Sequence, residues 1–364
     1  MASSHERVLT ACAFQRPDRI PRFDSFWQFP ESWRRRFGDP ETLTDIAIWC
    51  PDESPFPTRA RPLREEGGYL YEIDCWGRTI RRRPDAYFVE TLAVAIPDGT
   101  DPDQVRFDAP EVDFRYLTGK MDGSATFPSA AELDLALHED KQRHCVFGKT
   151  GGPYLRSSFV RGESQFLLDM AADPARAKAI ADKLADHLIA VGREQLRRWE
   201  LGATGIWIYD DMAYNHAPMF SPRQFEQVLL PAYRRMIKAY KEAGAKYVFL
   251  HSDGNIRLLL DMLVDAGIDG INPLERRAQM NAVELRQRYP RLILTGGMCN
   301  THTLVKGTRS EIENEARELI DLGRDGGVVI GTHSVSPEIP LGNYALYHDF
   351  CRTYGDFTRA GVRL

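Results

Sequence analysis

From residue 144 onward the chain alternates short, apolar, β-rich runs with long amphipathic segments. A sequence patterned this way folds as βα units around a parallel sheet. The runs are 144–148 (HCVFG), 205–209 (GIWIY), 246–250 (KYVFL), 269–272 (DGIN), 291–295 (RLILT) and 327–331 (GVVIG). Continuous apolar runs of this length suit strands buried on both faces. Residues 20–24 (IPRFD) form a plausible seventh strand, with Pro21 at its start or on an edge. No eighth strand stands out.

Helix signals fill the gaps. Asp173-Pro174 opens a helix over 175–200, and Ser221-Pro222 opens one over 223–243 that Gly244 closes. A third helix is expected over 256–266. Thr308 to Glu311 reads as a capping box for a helix over 310–322. No GxGxxG or GxxxxGK[ST] loop follows any run, which disfavours an open nucleotide-binding sheet. The expected fold is therefore an α/β (β/α)8 (TIM) barrel with its reactive residues at the C-terminal strand ends. A chain of 364 residues can form one such domain. Residues 1–140, irregular and rich in Pro, Arg and aromatics, are expected to pack around the mouth, and 141–364 carry the main run of units. Part of 86–96 is expected to add strands outside the barrel.

Composition removes several classes of function. The formal net charge of -5 argues against general nucleic-acid binding. No apolar stretch approaches the ~18 residues of a membrane span. The six cysteines are scattered without a CxxC pair, as in a reducing, cytoplasmic setting.

Residues just past the strands make a short set of candidates. These are Asp210, Asp211, Tyr214, Asn215 and His216; His251, Ser252 and Asp253; Glu275; Cys299; and His333. His251 and Asp253, at i and i+2, share a face if the strand continues. With His333 from another strand they form a two-His, one-carboxylate set suited to catalytic zinc or non-haem iron. Cys299 is a softer candidate ligand. Asp210, Asp211 and Glu275 are expected to handle proton transfer and hydrogen bonds. Tyr209, Tyr214, His216 and Trp27 are expected to shape a pocket for a small molecule. Plainer readings stand beside these: a helix N-cap and an ion pair for Asp210-Asp211, a buried small residue for Cys299, a surface ion pair for Glu275 with Arg276-Arg277, and core for Phe23, Phe26, Trp27 and Phe29. The runs 34–36 and 81–83, each Arg-Arg-Arg, read as solvated faces or as an anionic-substrate patch.

Several segments together resemble the uroporphyrinogen decarboxylase superfamily, which includes cobalamin-dependent methyltransferases. They are 7–21 (RVLTACAFQRPDRIP), 162–174 (GESQFLLDMAADP), 210–225 (DDMAYNHAPMFSPRQF), Pro231, 251–256 (HSDGNI), 270–275 (GINPLE), 296–308 (GGMCNTHTLVKGT) and 331–343 (GTHSVSPEIPLGN). The resemblance implies a TIM barrel with its site at the C-terminal face. True decarboxylases carry an arginine-rich loop after the first strand, where this chain reads DSFWQFP at 24–30. Porphyrinogen decarboxylation is therefore not expected. The methyltransferase branch binds zinc through His-x-Cys and a later Gly-Cys. This chain keeps His251 but has Asp253 and Gly331-Thr-His333 at the thiolate places. Harder ligands favour a substrate oxygen over a thiol.

The resemblance thus implies a zinc-dependent methyltransferase that moves a methyl group between a small substrate oxygen and a corrinoid (cobalamin) on a partner protein. Family members are often homodimers. The alternatives are a metal-independent decarboxylase or lyase using Asp210 or Asp211 with His333, and a corrinoid- or tetrapyrrole-binding module.

Overall fold

A computed structural model describes residues 2–358, apart from 27, 87 and 120–125. Seven parallel strands pair in one sheet, each next to its successor in the chain. They are β1 (Ile46–Trp49), β6 (Cys145–Gly151), β7 (Gly205–Tyr209), β8 (Tyr247–His251), β9 (Gly270–Asn272), β10 (Ile293–Met298) and β11 (Val328–Thr332). Residues 20–24 close the ring between the two edge strands. Arg22 bridges Ile330 in parallel, and the N–H of Phe23 donates to the Ile330 carbonyl at 2.8 Å. On the other side the N–H of Asp45 donates to the Arg22 carbonyl at 2.7 Å. The approach to β11 is so close that a Cβ on Gly331 would sit 1.8 Å from the Phe23 carbonyl oxygen, so that position must be glycine. The result is a (β/α)8-type barrel.

The stave that the sequence reading lacks is β1. Its four residues, IAIW, are apolar like the other runs but lie in the irregular N-terminal part. Two of the eight staves therefore come from within 1–140. The remainder of that part contributes an antiparallel sheet, β2 (Arg61–Glu66), β3 (Tyr69–Ile73), β4 (Thr79–Arg82) and β5 (Glu90–Ala93). β5 falls in the 86–96 region where extra strands are expected. Trp76, in the β3–β4 turn, docks this sheet beside the barrel by packing edge-on to Phe159 at 5.1 Å.

Strand alternation divides the core in two. Phe23, Ile48, Phe147, Trp207, Phe249 and Val329 belong to one buried cluster that fills the lumen. Within it Trp207 and Phe249 stack at 4.8 Å. The helix Ser4–Cys12 closes the N-terminal end by adding Val8 and Cys12 to the same cluster. The intervening residues, such as Val146, Ile206, Ile208 and Leu250, pack outward against helices including Pro174–Arg198. This double burial is what the apolar runs anticipate.

The helix expected over 223–243 is not uniform. It runs as Pro222–Gln224, a π-helical turn Phe225–Leu229, then Leu230–Glu242. Pro231 has no N–H to continue the α-helical bonding, and the wider turn absorbs the break. The helix expected over 256–266 is shorter, Leu260–Asp265. Among the described residues no helix is long and apolar enough to cross a membrane, and all six cysteines are free thiols.

Candidate metal centre at the barrel mouth

Register places one tier of side chains at the C-terminal rim. Tyr209 on β7 is level with His251 on β8, and His251 with Asn272 on β9. The Tyr209 and His251 rings stack with centroids 4.1 Å apart. Asn272 donates through Nδ2 to the Thr295 carbonyl at 3.2 Å, which fixes its amide orientation. Its Oδ1 lies 2.6 Å from His251 Nδ1 and can only accept. The His251 proton therefore sits on Nδ1, and Nε2 presents a lone pair to the mouth.

Past β8 the chain turns at Gly254 (φ +80), where a Cβ would lie 2.7 Å from the Ala213 backbone. Two bonds pin the turn: the Met212 N–H donates to Ser252 Oγ at 3.1 Å, and the Asp253 N–H to Asp211 Oδ1 at 3.0 Å. The Asp253 carboxylate is thereby brought 3.5 Å from His251 Nε2 and 3.3 Å from His333 Nε2. His333 arrives from across the barrel, one residue beyond β11.

Ligand atoms of His251, Asp253 and His333 all lie within 4.8 Å of one another. Among the described residues no other three His, Cys, Asp or Glu side chains meet in this way. The 3.3 and 3.5 Å separations are near the ~3.3 Å edge of a tetrahedron with bonds of ~2.0–2.1 Å. Asp253 Oδ1 is buried without a hydrogen-bond partner, which is costly unless a cation engages it. The donor set and this oxygen fit zinc.

The electrostatics differ from residue to residue: His251 and Asp253 are held in their ligating forms, whereas without a metal His333 is drawn toward its cationic form as the partner of Asp253. Burial lowers the His251 pKa, reinforced by His333 and opposed by Asp253, so this imidazole stays neutral. Burial would raise the Asp253 carboxyl, but His333 outweighs it and holds the group ionised. Burial would lower His333, but Asp253, Glu275 and Asp211 raise it. Glu275 is raised chiefly by burial, although its Oε2 accepts the Gly254 N–H at 2.6 Å.

The adjacent aspartates divide. Asp211 faces the cluster, 3.9 Å from His251 Nε2. Asp210 is fully buried in the wall, where it accepts from the N–H groups of Tyr154 (3.0 Å) and Leu155 (2.6 Å) and from the Tyr233 hydroxyl (2.6 Å). It satisfies the first turn of the helix Pro153–Arg161. Burial pushes its pKa up to about 6 against those three donors. Both Asp210 oxygens are thus engaged by the scaffold, and Asp211 is the member of the pair that faces the cluster.

Cys299 is not brought into the group. Its thiol lies outside the three-residue group and contacts Thr301 Oγ1 at 3.6 Å. It lines a small cleft with Glu275 and His333. Tyr214 and His216 are exposed on the loop 213–218, edge to face at 6.3 Å, and among the described residues their rings contact neither metal-type histidine. Trp27 lies outside the described residues. The arginine runs make surface ion pairs, Arg34–Glu31, Arg36–Asp349, Arg81–Glu90 and Arg82–Glu72. Arg276 pairs with Glu318, away from Glu275.

The sequence reading missed Asn272, which orients His251, and a group on the other side of Tyr209 in which Glu53 and Arg156 are buried and Lys149 is partly so. Strand alternation could have found Lys149, two residues beyond the lumen residue Phe147. The reading ended that strand at 148, whereas β6 runs to Gly151.

Comparison with known proteins gives the same architecture. The chain resembles a methyltransferase from Methanosarcina mazei with a TM-score of 0.65 and 17% identity, over 97% of this chain and 99% of that one. A B12-independent methionine synthase from Shewanella sp. W3-18-1 aligns more weakly, with a TM-score of 0.42 and 11% identity over 93% and 96%. No curated protein sequence matches significantly. The family model for uroporphyrinogen decarboxylase (URO-D) matches residues 101–354. That span contains β6 to β11 and all of His251, Asp253 and His333, and the chain belongs to the uroporphyrinogen decarboxylase family.

Proposed function

We propose that the protein is a zinc-dependent methyltransferase that moves a methyl group between the oxygen of a small substrate and a corrinoid carried by a partner protein. The observation that carries this reading is the His251–Asp253–His333 group, with a buried, unpartnered carboxylate oxygen at the open end of the barrel. Membership of the family and the barrel likeness to a methyltransferase support it.

His251 Nε2, Asp253 and His333 Nε2 would hold the metal, and Asn272 fixes the His251 tautomer. When bound, the metal supplies Lewis acidity to the substrate oxygen. The substrate oxygen would keep the electron pair of the methyl–oxygen bond, and a reduced corrinoid brought by the partner protein would supply the nucleophile that accepts the methyl group. Glu275 uses Oε2 on the Gly254 N–H, and its raised pKa suits Oε1 to hold a proton for the departing oxygen. Tyr209 walls the site by its stack on His251.

Metal analysis of the purified protein tests the reading. About one zinc per chain is expected, falling to background in His251→Ala together with corrinoid-dependent demethylation. Equal metal in both proteins refutes it. The lyase alternative draws on one observation, the His333–Asp253 ion pair at 3.3 Å, which offers an acid–base couple with Asp253 in the place expected of Asp210 or Asp211. Full activity after exhaustive chelation would select it.

A further inference from the structure

The geometry points to a carboxylate-binding subsite formed by Lys149 and Arg156, so that the substrate is a small monocarboxylic acid. This rests on the reading of the mouth as the substrate site. β6 carries Lys149 into the mouth, two residues above Phe147, which is buried in the lumen. Gln195 pins this point of the strand by accepting the Lys149 N–H at 3.0 Å and donating to its carbonyl at 3.0 Å.

The ammonium itself is under-used. Lys149 Nζ is 3.7 Å from Glu53 Oε1, beyond hydrogen-bond distance, and 5.4 Å from the centre of the Tyr209 ring. Among the described residues it donates no hydrogen bond. Arg156 pairs with Glu53 and packs against both Trp76 (5.0 Å) and Phe159 (5.1 Å), which touch each other. Its Nε is buried with no partner. Glu53 Oε2 is already taken by the Gly151 N–H.

Two cations thus share one carboxylate. Glu53 is 6% exposed and Arg156 8%, so the leftover positive charge is poorly hydrated. Such an excess is costly unless an anion joins it. A carboxylate matches the excess of one unit, whereas a phosphate dianion would overshoot it. The Lys149 side chain keeps 14% exposure, the largest of the three, and is the member open to a ligand.

Position ties the subsite to the chemistry. β7 runs between β6 and β8, so Tyr209 stands between Lys149 and His251, touching the first through its π-face and stacking on the second. A molecule with a carboxylate at Lys149 can present an ether oxygen near the metal-type group across the width of one aromatic ring.

Calorimetric titration with para-methoxybenzoate and its neutral amide, and with acetate and acetamide, tests the proposal on both metal-free and zinc-loaded full-length protein. At least one acid should bind roughly tenfold or more tighter than its amide, as a charge-assisted bond warrants. Lys149→Met should cut this preference below about twofold, Lys149→Arg should retain it, and zinc content should stay unchanged in both. No preference in the wild-type protein, whether from equal binding or from none, overturns the proposal. So does a preference that survives Lys149→Met. The wild-type comparison needs no variant to fold. If acids are preferred but no methyl reaches a corrinoid, the methyltransferase reading falls and the subsite stands. Demethylation of neutral ethers without acid preference does the reverse.

Discussion

The two sides of the barrel mouth are built with opposite charge. On the β8–β11 side, Asp211, Asp253 and Glu275 surround two imidazoles, and the atom left over is a carboxylate oxygen of Asp253. On the β1–β6 side, Lys149 and Arg156 surround the single carboxylate of Glu53, and the atom left over is the Arg156 Nε. One side suits a cation and the other an anion, with Tyr209 between them. On the proposed reading, a mouth of this kind would orient a substrate as well as activate it. A molecule with two unlike ends has one favourable way to enter.

The contrast can be broken most directly at Glu53. Glu53→Gln leaves the buried Arg156 and the partly buried Lys149 without their charge partner and should lower stability by about 3 kcal/mol in urea unfolding. Asp211→Asn, on the acidic side and 43% exposed in its side chain, should change stability by less than about 0.5 kcal/mol. If the two variants unfold alike, the sides do not differ as described. Burial would raise the Glu53 carboxyl, but Arg156 and Lys149 hold it below its ordinary value of 4.5. Its contribution to stability is therefore complete above that value and declines as the pH falls through the folded-state pKa. Acid unfolding of Glu53→Gln should accordingly show a shallower pH dependence than that of the wild type.

A smaller change sharpens the acidic side. Asn272→Ala removes the acceptor on His251 Nδ1 and should weaken zinc binding by roughly 10–100-fold, read by competition with a chromophoric chelator. Unchanged affinity would mean that Asn272 does not orient the ligand. The smallest effect is expected at Cys299. Cys299→Ser should leave zinc stoichiometry and affinity as they were, and loss of metal there would return the thiol to the ligand set.

Much of this was legible because buried parallel strands leave a plain pattern. Six runs locate six staves, and residues just past them supply His251, Asp253 and His333. The segment 20–24, expected as a strand, makes one isolated bridge at Arg22, and only its bonds to Ile330 and Asp45 show that it closes the ring. β1 was not legible, because four apolar residues without a following long helix do not resemble a βα unit. With β1 unread, Glu53 had no position, and the basic side of the mouth could not be anticipated. Asp210 shows a different limit. Neighbouring residues at a strand end point to opposite faces, and the sequence does not say which face of Asp210-Asp211 meets the helix Pro153–Arg161. The triad itself depended on register across the ring, which fixes that β8 and β11 end at compatible heights.

The plug of Val8 and Cys12 under the lumen, with the aromatic stack of Phe147, Trp207 and Phe249 above it, has one more consequence. Among the described residues the helix Ser4–Cys12 covers the N-terminal end of the lumen, so the C-terminal rim is the open side. If a methyl group is handed to a macrocycle on another protein, guest and receiver must use that same entrance. The carrier then has to dock over the rim while the small molecule is already seated beneath it, and traffic through the opening becomes ordered by geometry alone.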